Sequence, residues 1–118
     1  MIVYDNLSRA SSRLNLKWLE ATHGKEAIRL IVADVCNAEV LARVVRQVDV
    51  VFHLAGQVAV TTSIQSPRED FETNALGTFN LLEAARQSPS QPIILYASTN
   101  KVYGALERVA IVEGDDAY

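Results

Sequence analysis

The chain has 118 residues, 49% of them hydrophobic, with a formal net charge of -3 and an isoelectric point near 5.3. That is enough apolar content for one folded domain, and without a Lys/Arg cluster it offers no electrostatic footprint for nucleic acid or an anionic membrane. A single cysteine, Cys36, excludes an intramolecular disulfide and lacks the neighbours of a zinc site, and no apolar stretch approaches the ~20 residues of a membrane span.

Ile2-Val3-Tyr4 is a short apolar run stopped by Asp5-Asn6, and Leu7 to Ser12 follows as polar loop. Asn15 to His23 favours a short helix, with Asn15 as a candidate N-cap, Leu16 and Leu19 on one side and Gly24 placed to end it. Ile28 to Ala33 is a second strand with Asp34 at its carboxyl end, and Asn37 can cap a helix running to about Gln47 with Val40, Leu41, Val44 and Val45 as its apolar face. Val48 to Gln57 is an almost unbroken apolar run ending in glycine and an amide, and it predicts a third strand buried on both faces of a parallel sheet. Val58 to Gln65 reads as a loop or short turn. Ser66-Pro67-Arg68-Glu69 combines a capping box with proline at the first helical position, opening a long helix to about Gln87. Its stripe is Phe71, Ala75, Thr78, Leu82 and Ala85, flanked by Leu76 and Phe79, which predicts burial on more than one side, by the sheet and by another subunit. Ile93 to Ala97 is a fourth strand ending in Ser98-Thr99, and about 105–118 is expected to be a loose acidic tail. Strand and helix alternate throughout, which is the pattern of an α/β, doubly wound parallel sheet in one domain over 1–118. Met1 leads straight into a strand with no signal peptide, so the expected location is cytoplasmic.

Parallel strands gather their last residues along one rim, so the polar groups at the strand ends are the candidate site. An acid just after a strand can accept both hydroxyls of a ribose, and Asp5 fits that role with Arg9 near enough to cover an adenine; Asp5 also fits an ordinary Asp-Asn turn. Asp34 is either a ligand group or a helper at the start of the next helix. Gly56 permits close approach of backbone to a ligand or simply turns the chain. His53, between Phe52 and Leu54, reads as a satisfied core histidine more readily than as a base, and Asn74 either faces solvent or, the favoured reading, hydrogen-bonds loop backbone inside the fold. Thr99 can bond a substrate hydroxyl or cap a local turn.

Read together, D-N-L-S-R at Asp5 to Arg9, A-D-V at Ala33 to Val35, F-H-L-A-G-Q at Phe52 to Gln57, N-A-L-G-T at Asn74 to Thr78 and S-T-N-K-V-Y-G at Ser98 to Gly104 resemble the extended short-chain dehydrogenase/reductases of the NAD-dependent epimerase/dehydratase family. H-L-A-G-Q-V-A-V-T-T-S and S-T-N-K-V-Y-G are most similar to the CDP-paratose 2-epimerases, also called CDP-tyvelose epimerases. The resemblance implies a partial Rossmann-like fold and an NAD cofactor. It places Asp5 on the adenosine ribose with Asn6, Ser8 and Arg9 along the same loop, Asp34 and Val35 at the adenine, Leu54, Ala55, Gly56 and Gln57 beside the phosphates and nicotinamide ribose, and Ser98 and Thr99 beside the sugar. Thr99 matches the family's catalytic Ser/Thr. The implied reaction removes a hydride from C2 of a CDP-linked dideoxyhexose and returns it to the other face through a keto sugar, with a tyrosine moving the hydroxyl proton.

Two parts of that machinery are absent from the sequence. The five glycines are scattered, so no G-x-G-x-x-G is present to bring a pyrophosphate onto a helix N-terminus. Nor is there a Y-x-x-x-K: four positions after Tyr4, Tyr96 and Tyr103 stand Ser8, Asn100 and Glu107, and Tyr118 is last. The chain therefore reads as an internal fragment beginning at the family's second strand, inactive alone and binding NAD weakly or not at all. In the strand order 3-2-1-4-5-6 the absent strand is central, so the edges at Ile2 and Val50 are expected to pair with each other or to take a strand from another chain, by exchange or dimerisation. Two further readings are a non-catalytic association module built on the long helix, and another NAD-dependent sugar-nucleotide dehydratase or epimerase. A phosphoacceptor receiver domain fits length and alternation but lacks the clustered acids that magnesium requires.

Overall fold

The computed structural model of the chain describes residues 1–99 together with Val102 and Gly104. Asn100, Lys101, Tyr103 and the expected tail at 105–118 lie outside the described residues. In chain order the elements are β1 (Ile2–Asp5), α1 (Ser12–His23), a 3-10 turn (Lys25–Ala27), β2 (Arg29–Val32), α2 (Ala38–Val45), β3 (Val50–His53), α3 (Val60–Gln65), α4 (Pro67–Phe71), a π turn (Glu72–Leu76), α5 (Gly77–Arg86) and β4 (Ile93–Tyr96).

All strand pairing among the described residues is parallel, but it forms two half-sheets rather than one sheet. β1 pairs with β2 from Ile2↔Arg29 to Asp5↔Val32, and β3 pairs with β4 from Val50↔Ile93 to His53↔Tyr96. The expected pairing of the β1 and β3 edges does not occur. What joins the halves is a helical layer: α2 and α5 pack together through Leu41, Val45, Leu81 and Ala84, and Tyr4 of β1, Val51 of β3 and Ile94 of β4 all rest on that cluster. Asn37 caps α2 as expected, its Oδ1 accepting the Val40 N–H at 3.2 Å. Gly24 ends α1 at φ 83°, a left-handed conformation that costs a side chain about 1–2 kcal/mol and glycine little.

Several local expectations need correction. Asn15 does not cap α1: its own N–H donates to the Ser11 carbonyl at 2.9 Å, so the helix is already a turn old when it reaches Asn15. Val58 to Gln65 is not a loop, since Val60–Gln65 forms a helical turn and a half whose Ser63 N–H bonds the Ala59 carbonyl at 3.1 Å. Ser66 makes no side-chain cap to α4; its carbonyl, not its hydroxyl, takes the Asp70 N–H. β3 is covered on one face only. Val51 and His53 point at the helices, while Phe52 is 68% exposed and Val50 also faces outward, because no described element packs on that side.

The stripe chosen for the long helix is also not the one that faces the core. Gly77, Asn80, Leu81 and Ala84 are buried, whereas Phe71, Leu82 and the flanking Phe79 are exposed. A helix apolar on several sides offers more than one stripe at three- and four-residue spacing, and the π turn rotates the phase between Phe71 and everything after Leu76. The stripe that wins carries glycine, which lets α5 approach the loop after β2.

Candidate functional site

The carboxyl ends of β1, β2 and β3 open into one cavity of about 670 Å³, lined by Asp5, Asn6, Ser8, Arg9, Asp34, Val35, Leu54, Ala55, Gly56 and Gln57, with α3, α4 and the π turn forming its far wall. This volume lies in the range of small-molecule sites, about 300–1,000 Å³. Ser98 and Thr99 do not line it. They follow the carboxyl end of β4, which the Ala97 N–H ties to the His53 carbonyl at 3.2 Å, and both are exposed.

After β1 the backbone doubles back on its own side chains. The Leu7 N–H donates to Asp5 Oδ1 at 2.6 Å and the Ser8 N–H to Asn6 Oδ1 at 3.0 Å, which holds Leu7 at φ 54°. Asp5 therefore does serve a turn, yet that bond occupies only Oδ1. Asp34 is bound from both sides: Oδ1 accepts the Cys36 N–H at 2.8 Å and Oδ2 accepts Asn6 Nδ2 at 2.7 Å. These two donors, the Cys36 N–H first, hold the Asp34 carboxyl below the usual carboxylate range. The loops after β1 and β2 are thus joined directly, and Tyr4 Oη donates to the Asp34 carbonyl at 2.7 Å. Across the cavity Arg9 Nη2 donates to Gln57 Oε1 at 3.3 Å, linking the β1 end to the β3 end.

Burial first, and hydrogen bonding to Asp34 second, push the Cys36 thiol up to about 11, so it is protonated at neutral pH and donates to the Glu72 carbonyl at 3.2 Å. It is a packing and hydrogen-bonding group, not a nucleophile.

The loop after β3 is held by Asn74. Its Oδ1 accepts the Gln57 N–H at 2.8 Å, and its Nδ2 donates to the Gln57 carbonyl at 3.0 Å and to Asp70 Oδ1 at 3.0 Å. A Cβ on Gly56 would stand 3.2 Å from Asn74 Oδ1. The bareness of Gly56 thus serves the clamp as well as the cavity. The same helix grips the β2 end: Asn80 Nδ2 donates to the Val35 carbonyl at 3.1 Å and the Cys36 carbonyl at 3.2 Å. The sequence reading missed Asn80, although a lone amide inside T-F-N-L-L is the same signal that pointed to Asn74.

His53 is 5% exposed and satisfied, Nε2 lying 2.9 Å from Thr78 Oγ1. The Thr78 hydroxyl donates to the Asn74 carbonyl at 2.7 Å, so its hydrogen is committed there and His53 Nε2 must carry the proton of the pair. Burial lowers the His53 pKa below 6.5. As pH falls through 6.5 the unfolded chain binds a proton before the folded one, and stability should fall from there down to the folded-state pKa. We expect the urea midpoint to be lower at about pH 5.5 than at about pH 7.5, a window above the carboxylate titrations, and the difference to shrink in His53→Gln. A midpoint that does not move between the two values would contradict the burial of His53.

Parallel strands linked by helices, ending together at a polar cleft, define a Rossmann-like α/β fold. The family model described as GDP-mannose 4,6 dehydratase matches residues 1–118, and the chain belongs to that family of NAD-dependent epimerases and dehydratases. It is 47% identical over 120 residues to a CDP-paratose 2-epimerase of Salmonella typhi, covering 100% of this chain and 35% of that protein. It is 35% identical over 105 residues to a dTDP-glucose 4,6-dehydratase of Mycobacterium tuberculosis, covering 89% of this chain and 30% of that one. Among solved structures, a dTDP-glucose 4,6-dehydratase from Streptomyces venezuelae with NAD bound superposes with a TM-score of 0.77 at 34% identity, covering 90% of this chain and 32% of the other. A UDP-Glc/GlcNAc 4-epimerase from Campylobacter jejuni gives 0.75 at 26% identity, covering 87% and 30%. The chain spans about a third of the length of the relatives it matches.

Proposed function

We propose that this chain is the adenosine-facing part of an NAD-dependent nucleotide-sugar epimerase, nearest in substrate to the CDP-paratose 2-epimerases. The observation that carries the reading is the single cavity onto which the ends of β1, β2 and β3 converge. In it Asp5, through the carboxylate oxygen its turn leaves over, accepts the ribose hydroxyls; Asn6, Ser8 and Arg9 line the same side; Asp34 and Val35 border the adenine; and Leu54 to Gln57 present backbone toward the phosphates. Ser98 and Thr99 belong to the sugar end, Thr99 as the catalytic hydroxyl. The residues fit the adenosine half of NAD and leave the pyrophosphate without a helix N-terminus to rest on. When bound, NAD supplies removal of hydride from C2 of a CDP-linked dideoxyhexose and its return to the other face. With no Y-x-x-x-K pair to move the proton, the 118-residue chain is inactive by itself.

Calorimetric titration and a turnover assay test this together. Weak NAD binding, in the millimolar range, weakened further in Asp5→Ala, with no turnover of a CDP-linked sugar, is the expected result. Tight binding with turnover would overturn the claim of inactivity, and NAD binding indifferent to Asp5→Ala would overturn the site.

A second reading, association of two copies through the 66–87 helix, is supported by the exposed Phe71, Leu76, Phe79 and Leu82 on its outer faces. It and the catalytic reading are compatible. No helix among the described residues is long and apolar enough to cross a membrane.

A further inference from the structure

We infer that the cavity at the strand ends selects uncharged nucleosides over nucleotides: it takes adenosine by base and ribose and repels a phosphate attached to it. The inference rests on the adenosine reading given above and narrows the ligand class. Five carboxylates line the cavity, on Asp5, Asp34, Glu69, Asp70 and Glu72, and among the described lining residues Arg9 is the one cation. Glu72 is answered by a cation outside the lining, Arg68 Nε at 2.9 Å. The others are not. Asp70 Oδ1 accepts hydrogen bonds from the Ser63 hydroxyl at 2.7 Å and the Asn74 amide at 3.0 Å, donors that carry no charge to cancel its own. Asp5 and Asp34 are also held by neutral donors, backbone N–H groups and the Asn6 amide. Glu69 is exposed and forms no ion pair among the described residues.

The features that draw phosphate are outweighed. Two helices start on the cavity wall, α1 at Ser12 and α4 just after Ser66. α4 carries Glu69 and Asp70 in its first turn, so carboxylates already answer its positive end, whereas α1 has no acid there and offers roughly half a unit of positive charge. Arg9 and the start of α1, set against four unanswered carboxylates, leave a surplus of about two to three negative charges. One pair of like unit charges about 8 Å apart in water weakens binding about twofold before screening, so the surplus should cost a phosphate roughly fivefold to tenfold in affinity at low salt. At about 1 M salt the Debye length falls to about 3 Å and most of that repulsion disappears. Adenosine carries no charge and feels neither effect.

The test is titration of adenosine, AMP and ADP into the full chain at about 0.05 M and about 1 M sodium chloride, followed through the amide shifts of Asp5 to Arg9. At low salt adenosine should bind roughly fivefold or more tightly than AMP, and AMP more tightly than ADP. Added salt should tighten AMP severalfold and move adenosine by less than about twofold, the reverse of the usual weakening of phosphate ligands by salt. Glu69→Gln, at an exposed side chain, should tighten AMP about twofold at low salt and leave adenosine unchanged. AMP binding as tightly as adenosine, AMP weakened by salt, or AMP indifferent to Glu69→Gln would overturn the inference and leave the adenosine site standing. If neither adenosine nor AMP moves Asp5 to Arg9, the site and the inference fall together.

Discussion

Replacing Asn74 by alanine should cost about 2–3 kcal/mol, because three hydrogen bonds are lost and the Gln57 N–H and C=O lose their partner. The damage should also be local, with the Leu54–Gln57 loop gaining exchange rate out of proportion to the rest of the chain. Asn74→Asp is the sharper control. It keeps an acceptor for the Gln57 N–H but turns the Nδ2 donor into an anion facing the Gln57 carbonyl and the Asp70 carboxylate, so at neutral pH it should be at least as harmful as alanine. Urea denaturation of the three proteins at neutral pH checks this, and an Asn74→Asp variant as stable as the parent would show that the clamp contributes little.

Gly77→Ala is the second large effect. A Cβ there would lie 2.5 Å from Val35 Cγ2 and 3.1 Å from Val35 Cβ, so either α5 or the loop after β2 must give way. Overpacking of this kind costs about 1–3 kcal/mol, against which alanine recovers about 1 kcal/mol of helix propensity over glycine. The net expectation is a loss of up to about 2 kcal/mol. Removing the Val35 methyl groups should recover most of it, so in a Val35→Ala background the same Gly77→Ala change should be close to neutral. If the cost of Gly77→Ala is the same in both backgrounds, the contact is not what makes glycine necessary.

These two positions explain how much the sequence could disclose. The rim was legible because parallel strands put their last residues on one side, and Asp5, Asp34 and Gly56 announce themselves by following apolar runs; the structure brings all three to one cavity. Asn74 was legible as an amide stranded in apolar surroundings. Which stripe of the long helix faces the core was not, because Phe71, Thr78 and Leu82 repeat as well as Gly77, Leu81 and Ala84 do, and only the tertiary contact at Val35 decides between them. The π turn was invisible for a related reason: it has no composition of its own, and it accompanies long-range contacts, Asn74 reaching Gln57 and Asn80 reaching Val35 and Cys36 from the same helix. The division into two half-sheets followed from topology, but what becomes of the two edges did not, since edge pairing depends on a separation that no local pattern encodes. Asp5 and Asp34 also turned out to serve their own loops: Asp5 holds its turn with one oxygen and keeps the other, whereas both oxygens of Asp34 accept hydrogen bonds, one from the Cys36 N–H and one from Asn6.

The central claim is that a single helix, reaching from Pro67 to Arg86, holds the ends of β2 and β3, to which Asn6 and Arg9 tie the end of β1, as one nucleotide-facing rim. Amide chemical-shift mapping with AMP tests it most directly. Titration in the millimolar range should move Asp5–Arg9 and Asp34–Cys36 together along one binding curve, leaving the carboxyl half of α1 and the outer edge of β4 unchanged. Shifts confined to one of the two loops, or centred away from the cavity, would contradict the account.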